Sequence, residues 1–221
     1  MTGMIRSRNK KSTWVWGGIL LLGFLWVAAV ADAQDLPEDP LERGKALLQK
    51  FEYQEAKNSF DMVISENPRH KEARYLRGKA LVKLEELDAA WDDFVKTLEI
   101  DPEYPLGYVG KAMVHIQREE YEEAWEKLEK ALGLDKDSAE AYYYKGVVRG
   151  YQDQVDSAIS HFEKCLEINP KHAYAHYQVG LAYYEKERPD LAVEHFTYFL
   201  ELAPEAPEAD RVRKILNFLK R

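Results

Sequence analysis

The chain has 221 residues, of which 46% are apolar and 32% charged. This balance excludes an intrinsically disordered chain. The formal charge of −8 argues against a nucleic-acid binder, which needs a basic footprint. A single cysteine, Cys165, excludes an internal disulfide and a cysteine-rich metal site.

Read from its start, the chain opens with Arg6, Arg8, Lys10 and Lys11. An apolar run follows over residues 14–31, and Ala31-Asp32-Ala33 closes it. Basic start, apolar stretch and A-x-A end are the order of a secretory signal peptide, so residues 1–33 are expected to be removed after Ala33. The alternative is an uncleaved anchor through residues 14–31, because 18 apolar residues sit at the short end for spanning a bilayer. Either way the remainder is expected to be exported, in the periplasm or outside the cell if cleaved and membrane-anchored otherwise, since the basic flank stays inside. Residues 1–33 hold four basic residues and one acid; without them 27 basic and 38 acidic residues remain, a net of −11. Residues 34–36 read as a short linker.

Asp39-Pro40-Leu41-Glu42 is a helix start: a capping Asp39, proline at the first helical position and Glu42 in the capping-box place. From there one pattern recurs. Gly44, Gly78, Ala112, Gly146 and Gly180 stand 34 residues apart. Ala56, Ala90, Ala124, Ala158 and Ala192 follow at the same step, and so do Phe60, Phe94, Leu128, Phe162 and Phe196. Pro68, Pro102, Pro170 and Pro204 close four copies, with Lys136 in the remaining slot. Each copy reads as two amphipathic helices joined by a short polar turn. The small residue and the alanine are expected where the helices cross closely, with the phenylalanine or leucine filling the space beside them. Asp101-Pro102 is expected to end a second helix. One hairpin cannot bury its apolar face alone, so stacked neighbours must bury it together. Cys165 falls in an apolar helical pattern and reads as a core residue. After Pro207, Val212, Ile215, Leu216 and Leu219 share one helix face, as expected of a capping helix over residues 207–221.

This pattern resembles the tetratricopeptide repeat family, W-x2-L-G-x2-Y, then A-x3-F, then P. The resemblance implies an all-α fold: a right-handed superhelical solenoid of five helix-turn-helix hairpins plus the capping helix. In this register the copies span 37–70, 71–104, 105–138, 139–172 and 173–206. The sequence departs from the family in two slots. The tryptophan slot holds Pro40, Arg74, Tyr108, Tyr142 and His176, and the tyrosine slot holds Leu47, Leu81, His115, Arg149 and Tyr183. The stems of His115 and Arg149 are expected to pack while their tips reach water or a carboxylate. Gly107 and Gly110, with the missing proline, mark the third copy as the irregular one and point to a flexible joint.

The resemblance also implies a concave groove lined by the first helices, through the second, fifth, ninth, twelfth and thirteenth slots of each copy. The early copies place mainly polar groups there, among them Glu72, Tyr75, Lys79 and Lys83. The later ones place Val109, Met113, Ile116, Tyr143, Val147, Tyr151, Tyr174, Tyr177, Leu181 and Tyr184, with Gly150 leaving a pit between Tyr143 and Tyr151. Tyrosine and apolar residues together are interface chemistry; packing between repeats is the competing use of the same rings. The sixth slots hold Glu42, Leu76, Gly110, Tyr144 and Gln178, which lack the lysine, asparagine and arginine set with which the family clamps acidic chaperone tails.

No catalytic motif appears. His172 and His176 stand four apart, but only Ala173, Tyr174 and Ala175 lie between them and no third ligand accompanies them. No metal, cofactor or catalytic residue is therefore expected. The expected function is a non-catalytic scaffold that binds a peptide segment of a protein partner in the groove. A glycan or small-ligand carrier is the alternative, and an enzyme subunit ranks last. A nucleic-acid partner is not expected, a membrane contact only through an uncleaved N-terminal segment, and self-association stays open.

Overall fold

The computed structural model describes residues 36–219. The expected export segment, 1–33, and the anchor alternative, 14–31, lie outside the described residues. Those described form eleven α-helices and no strand. They are α1 (Pro40–Gln49), α2 (Tyr53–Glu66), α3 (Lys71–Lys83), α4 (Leu87–Ile100), α5 (Pro105–Gln117), α6 (Tyr121–Leu134), α7 (Ala139–Tyr151), α8 (Val155–Ile168), α9 (Ala173–Glu185), α10 (Pro189–Leu202) and α11 (Ala209–Leu219). Helices pack in consecutive pairs, and each second helix also packs on the next first helix. This is the solenoid of five hairpins with a capping helix that the periodicity implied. Among the described residues no helix is long and apolar enough to cross a membrane.

The helix starts follow the local chemistry. Asp39 accepts a hydrogen bond from the Glu42 amide at 2.9 Å, and Pro40, Pro105 and Pro189 take first-turn positions where a missing N–H costs nothing. Ser138 caps α7, accepting from the Ala141 amide. Two histidines do the same work with a ring nitrogen: Nδ1 of His70 accepts from Ala73 and Nδ1 of His172 from Ala175.

The turn inside every hairpin is one motif repeated. Phe51, Glu85, Glu119, Asp153 and Glu187 all have φ between 54° and 62°. The amide after each bonds back to a carbonyl five residues earlier, as in Glu52 to Leu47 and Glu86 to Leu81 at 2.9 Å. This left-handed residue satisfies the last carbonyls of the first helix and reverses the chain. Glycine would hold the conformation without steric cost, yet none of the five is glycine.

The crossings carry the core. A Cβ on Gly44, Gly78, Gly146 or Gly180 would overlap the ring of Phe60, Phe94, Phe162 or Phe196 respectively. In the third hairpin Ala112 supplies the extra methyl and Leu128 replaces the ring; both are wholly buried, as is Ala124. Gly107 and Gly110 are close-packing positions rather than a joint, because a Cβ there would overlap Leu98 or Phe94. They seat α5 against α4, and α5 is among the most buried helices, with Val109, Ala112 and Val114 wholly enclosed. Cys165 is buried too, and burial pushes its thiol pKa up to about 12, so it behaves as a core residue.

The unusual polar slots are accommodated by tryptophans one repeat apart. His115 meets Trp91 edge-on at 5.1 Å and places Nδ1 2.6 Å from Glu120, the carboxylate contact expected of it. The Arg149 guanidinium lies 3.8 Å from the centre of the Trp125 ring and donates to Gln152. At the end of the array Val212 and Leu216 of α11 bury against Phe196 and Phe199.

The non-glycine left-handed turns predict that Glu85→Gly raises stability by about 1 kcal/mol, since Glu85 is exposed and strained. Urea unfolding of the two proteins checks this; an unchanged midpoint would show that the turn carries no strain.

Candidate partner-binding groove

The first helices face one another across the inside of the curve. α1 packs on α3, α3 on α5 and α5 on α7. The side chains they turn inward line a cavity of about 330 Å³ that includes Phe51, Lys79, Lys83, Met113, Tyr143 and Tyr174. The curvature is tight enough for the first and fifth hairpins to meet. Phe51 stands edge-on to Tyr174 at 6.3 Å, and Lys83 Nζ lies 5.7 Å from the centre of the same ring. The Tyr174 hydroxyl donates to Glu208, ahead of α11, at 2.9 Å.

Charged groups are held at the centre. Lys79 on α3 donates to Glu140 on α7 at 2.9 Å, spanning two hairpins. The other Glu140 oxygen lies 3.9 Å from Nε2 of His172, whose ring stacks on Tyr143 at 4.6 Å. Burial opposes the charge on Glu140, but Lys79 and then His172 outweigh it and hold the carboxyl well below its usual range. Burial likewise opposes the Lys79 charge, and Glu140 overcomes it, so the ammonium titrates above its ordinary value. The pair is charged at neutral pH in a site that protein walls on most sides.

The expected groove residues divide into four groups. Tyr75 and Val109 are buried in the wall: Tyr75 packs on Phe94 and Tyr104, and Val109 is wholly enclosed. Tyr177 belongs with them, packed on Phe196 and Phe199. Met113 and Ile116 are nearly buried and show only an edge to the groove. Lys79, Tyr143, Val147, Tyr174 and Leu181 are partly exposed and line the cavities, while Tyr151 and Tyr184 are open to solvent.

Sequence reasoning missed Glu140, although it fills the second slot of its copy and the slot pattern would have found it. It missed Phe51 and Glu208, for which no sequence signal exists. His172 and His176 do not converge: His172 caps α9 and faces Glu140, whereas His176 meets Nδ1 of His195 at 3.0 Å and the Pro170 carbonyl at 3.0 Å. Among the described residues no three His, Cys, Asp or Glu side chains are grouped to hold a metal ion.

Tetratricopeptide repeat profiles match residues 41–105 and 152–217, and a TPR repeat profile matches residues 112–150. The chain belongs to the tetratricopeptide repeat family. Among solved structures it is similar to a thermophilic TPR protein of Thermus thermophilus, with 21% identity, a TM-score of 0.69, and coverage of 81% of this chain and 98% of that one. It is also similar to a tetratricopeptide repeat protein of Parabacteroides merdae, with 18% identity, a TM-score of 0.68, and coverage of 92% and 79%. These likenesses show the fold alone. No curated protein matches the chain. Tetratricopeptide repeat proteins are in general protein-interaction scaffolds, and typically they are not catalysts.

Because Glu140 titrates below its unfolded value of 4.5, the stability it contributes is present above that pH and is lost as the pH falls beneath it. Glu140→Gln is therefore expected to cost about 1–2 kcal/mol at neutral pH, with Lys79 left poorly paired, and the gap to the unmodified protein should shrink below about pH 4. Denaturant unfolding at both pH values checks this; a gap independent of pH would show that the carboxylate charge does not matter.

Proposed function

We propose that this chain is a non-catalytic scaffold that works outside the cytoplasm and holds a segment of a partner protein in its groove. The observation that carries this reading is the lining: Tyr143, Tyr174 and Tyr151 supply broad surface with polar tips, and Lys83 is exposed beside them. One ring face of Tyr143 is stacked by His172 and Tyr177 is packed on Phe199, which favours an inserted segment over a stacked sugar. Export rests on the N-terminal sequence, with its basic start, apolar run and Ala31-Asp32-Ala33.

Residues 34–221 immobilised in an extract of the source organism should recover one protein in stoichiometric amount; a sugar or lipid without protein would point to a carrier instead. With that partner in hand, Lys83→Glu together with Tyr151→Ala should weaken binding about tenfold or more while lowering stability by only about 1–2 kcal/mol, the cost of their contacts with Tyr174 and Tyr121. Lys130→Ala, on an exposed position of α6, should do neither. Undiminished binding by the double variant would move the site off the groove. Mass spectrometry of the envelope fraction should find a chain beginning at Gln34; intact Met1 in the membrane pellet would support the anchor.

A further inference from the structure

One position in the groove wall is empty where its equivalents are filled. The 34-residue register aligns Leu48, Val82, Ile116, Gly150 and Tyr184. Val82 and Ile116 are buried, at 6% and 5% exposure, and fill the seam between successive first helices. At Gly150 a Cβ would meet nothing within 4 Å. There the backbones of α7 and α9 approach less closely than those of α3 and α5 or of α5 and α7, although Tyr143 and Val147 of α7 still pack toward Val179 of α9. The result is a wedge of about 350 Å³ whose walls include Val147, Gly150, Phe162 and Leu181. It shares Val147, Tyr151 and Gln178 with a cavity of the central groove, so the two are continuous.

The missing side chain explains the space, and the charges beside it describe what would fill it. Two exposed carboxylates, Asp153 and Glu185, also line the wedge, and neither forms an ion pair among the described residues. The neighbouring cations are occupied, Lys186 by Asp156 and Arg188 by Asp190. An apolar floor with unneutralised carboxylates suits an apolar side chain with positive charge on either side.

We propose that the wedge at Gly150 is the specificity pocket of the groove, taking a leucine or phenylalanine that is flanked by lysine or arginine in the partner segment. This rests on the groove reading above and names the chemistry of its ligand. The inserted side chain takes the place that Ile116 holds one hairpin earlier, and completes the seam between α7 and α9.

The test needs no natural partner. A short fluorescein-labelled peptide with phenylalanine between lysine pairs is titrated against residues 34–221 and followed by anisotropy. Two comparison peptides carry alanine for the phenylalanine or glutamates for the lysines. The lysine–phenylalanine peptide should bind, and both comparisons should bind about tenfold more weakly or worse. Gly150→Leu should weaken the first peptide about tenfold or more while the protein melts no lower, since it fills open space and removes a helix-interior glycine. Asp153→Asn with Glu185→Gln, both on exposed positions, should weaken the same peptide without touching the apolar walls. Equal binding of the alanine peptide, absent binding of all three, or full binding by Gly150→Leu would each overturn the inference. So would concentration-dependent self-association that Gly150→Leu abolishes, because the occupant would then be a second copy of the chain. A protein partner captured by the groove, with peptide selectivity absent, would sink the wedge and leave the scaffold reading standing.

Discussion

The structure depends on how closely two helices can approach within a hairpin. Gly78 of α3 lies under the ring of Phe94, and three other hairpins repeat the arrangement with Gly44, Gly146 and Gly180. Without a Cβ the backbone reaches van der Waals contact with the ring, and the buried ring supplies the apolar area that a short hairpin otherwise lacks. The third hairpin shows that the summed volume is what matters. There Ala112 adds a methyl and Leu128 gives up a ring, so the two changes offset each other. Phe94 serves a second contact as well, since Gly110 of the next first helix also lies against its Cδ1–Cε1 edge. One ring thus joins a crossing within a hairpin to the seam between hairpins, and the stack propagates through such shared residues.

Much of this architecture was legible because it is periodic. A small residue, an alanine and an aromatic at a constant step specify a crossing wherever they occur, and five copies leave little freedom for another fold. The turns were less legible. A left-handed residue is ordinarily announced by glycine or asparagine, yet here it is Phe51, Glu85, Glu119, Asp153 and Glu187. The surrounding packing imposes the conformation, and the residue type merely tolerates it. Gly107 and Gly110 mislead in the opposite direction. In sequence they suggest a loose joint, but what they provide is room for Leu98 and Phe94. A glycine inside a helix carries no mark that distinguishes close packing from flexibility; only the neighbour across the crossing does.

The groove was legible as a face and not as a surface. Slot counting selects one side of each first helix, but it treats every hairpin alike. The depth of a given side chain depends on the pitch of the stack. Tyr75 is sealed under Tyr104 and Phe94, whereas Tyr151 stands 59% exposed, stacked only on Tyr121. The same dependence creates the contact of Phe51 with Tyr174, whose residues lie 123 positions apart. A one-dimensional array has no local reason for its ends to touch. The contact follows from curvature summed over four seams, which no single copy encodes.

Curvature also explains why the charges sit where they do. Lys79 and Glu140 come from hairpins that are not neighbours, so their 2.9 Å contact exists only when the seams between α3, α5 and α7 hold their angles together. For Glu140 and for Lys79 the mutual attraction outweighs the cost of burial, so the pair adds stability. It also constrains geometry, because either charge would be costly here without the other. The pair therefore couples the seam between α3 and α5 to the seam between α5 and α7. The wedge at Gly150 lies at the other end of the α7–α9 seam from the contacts of Glu140 and Tyr143 with His172, so the seam is closed by charge and stacking at one end and open at the other.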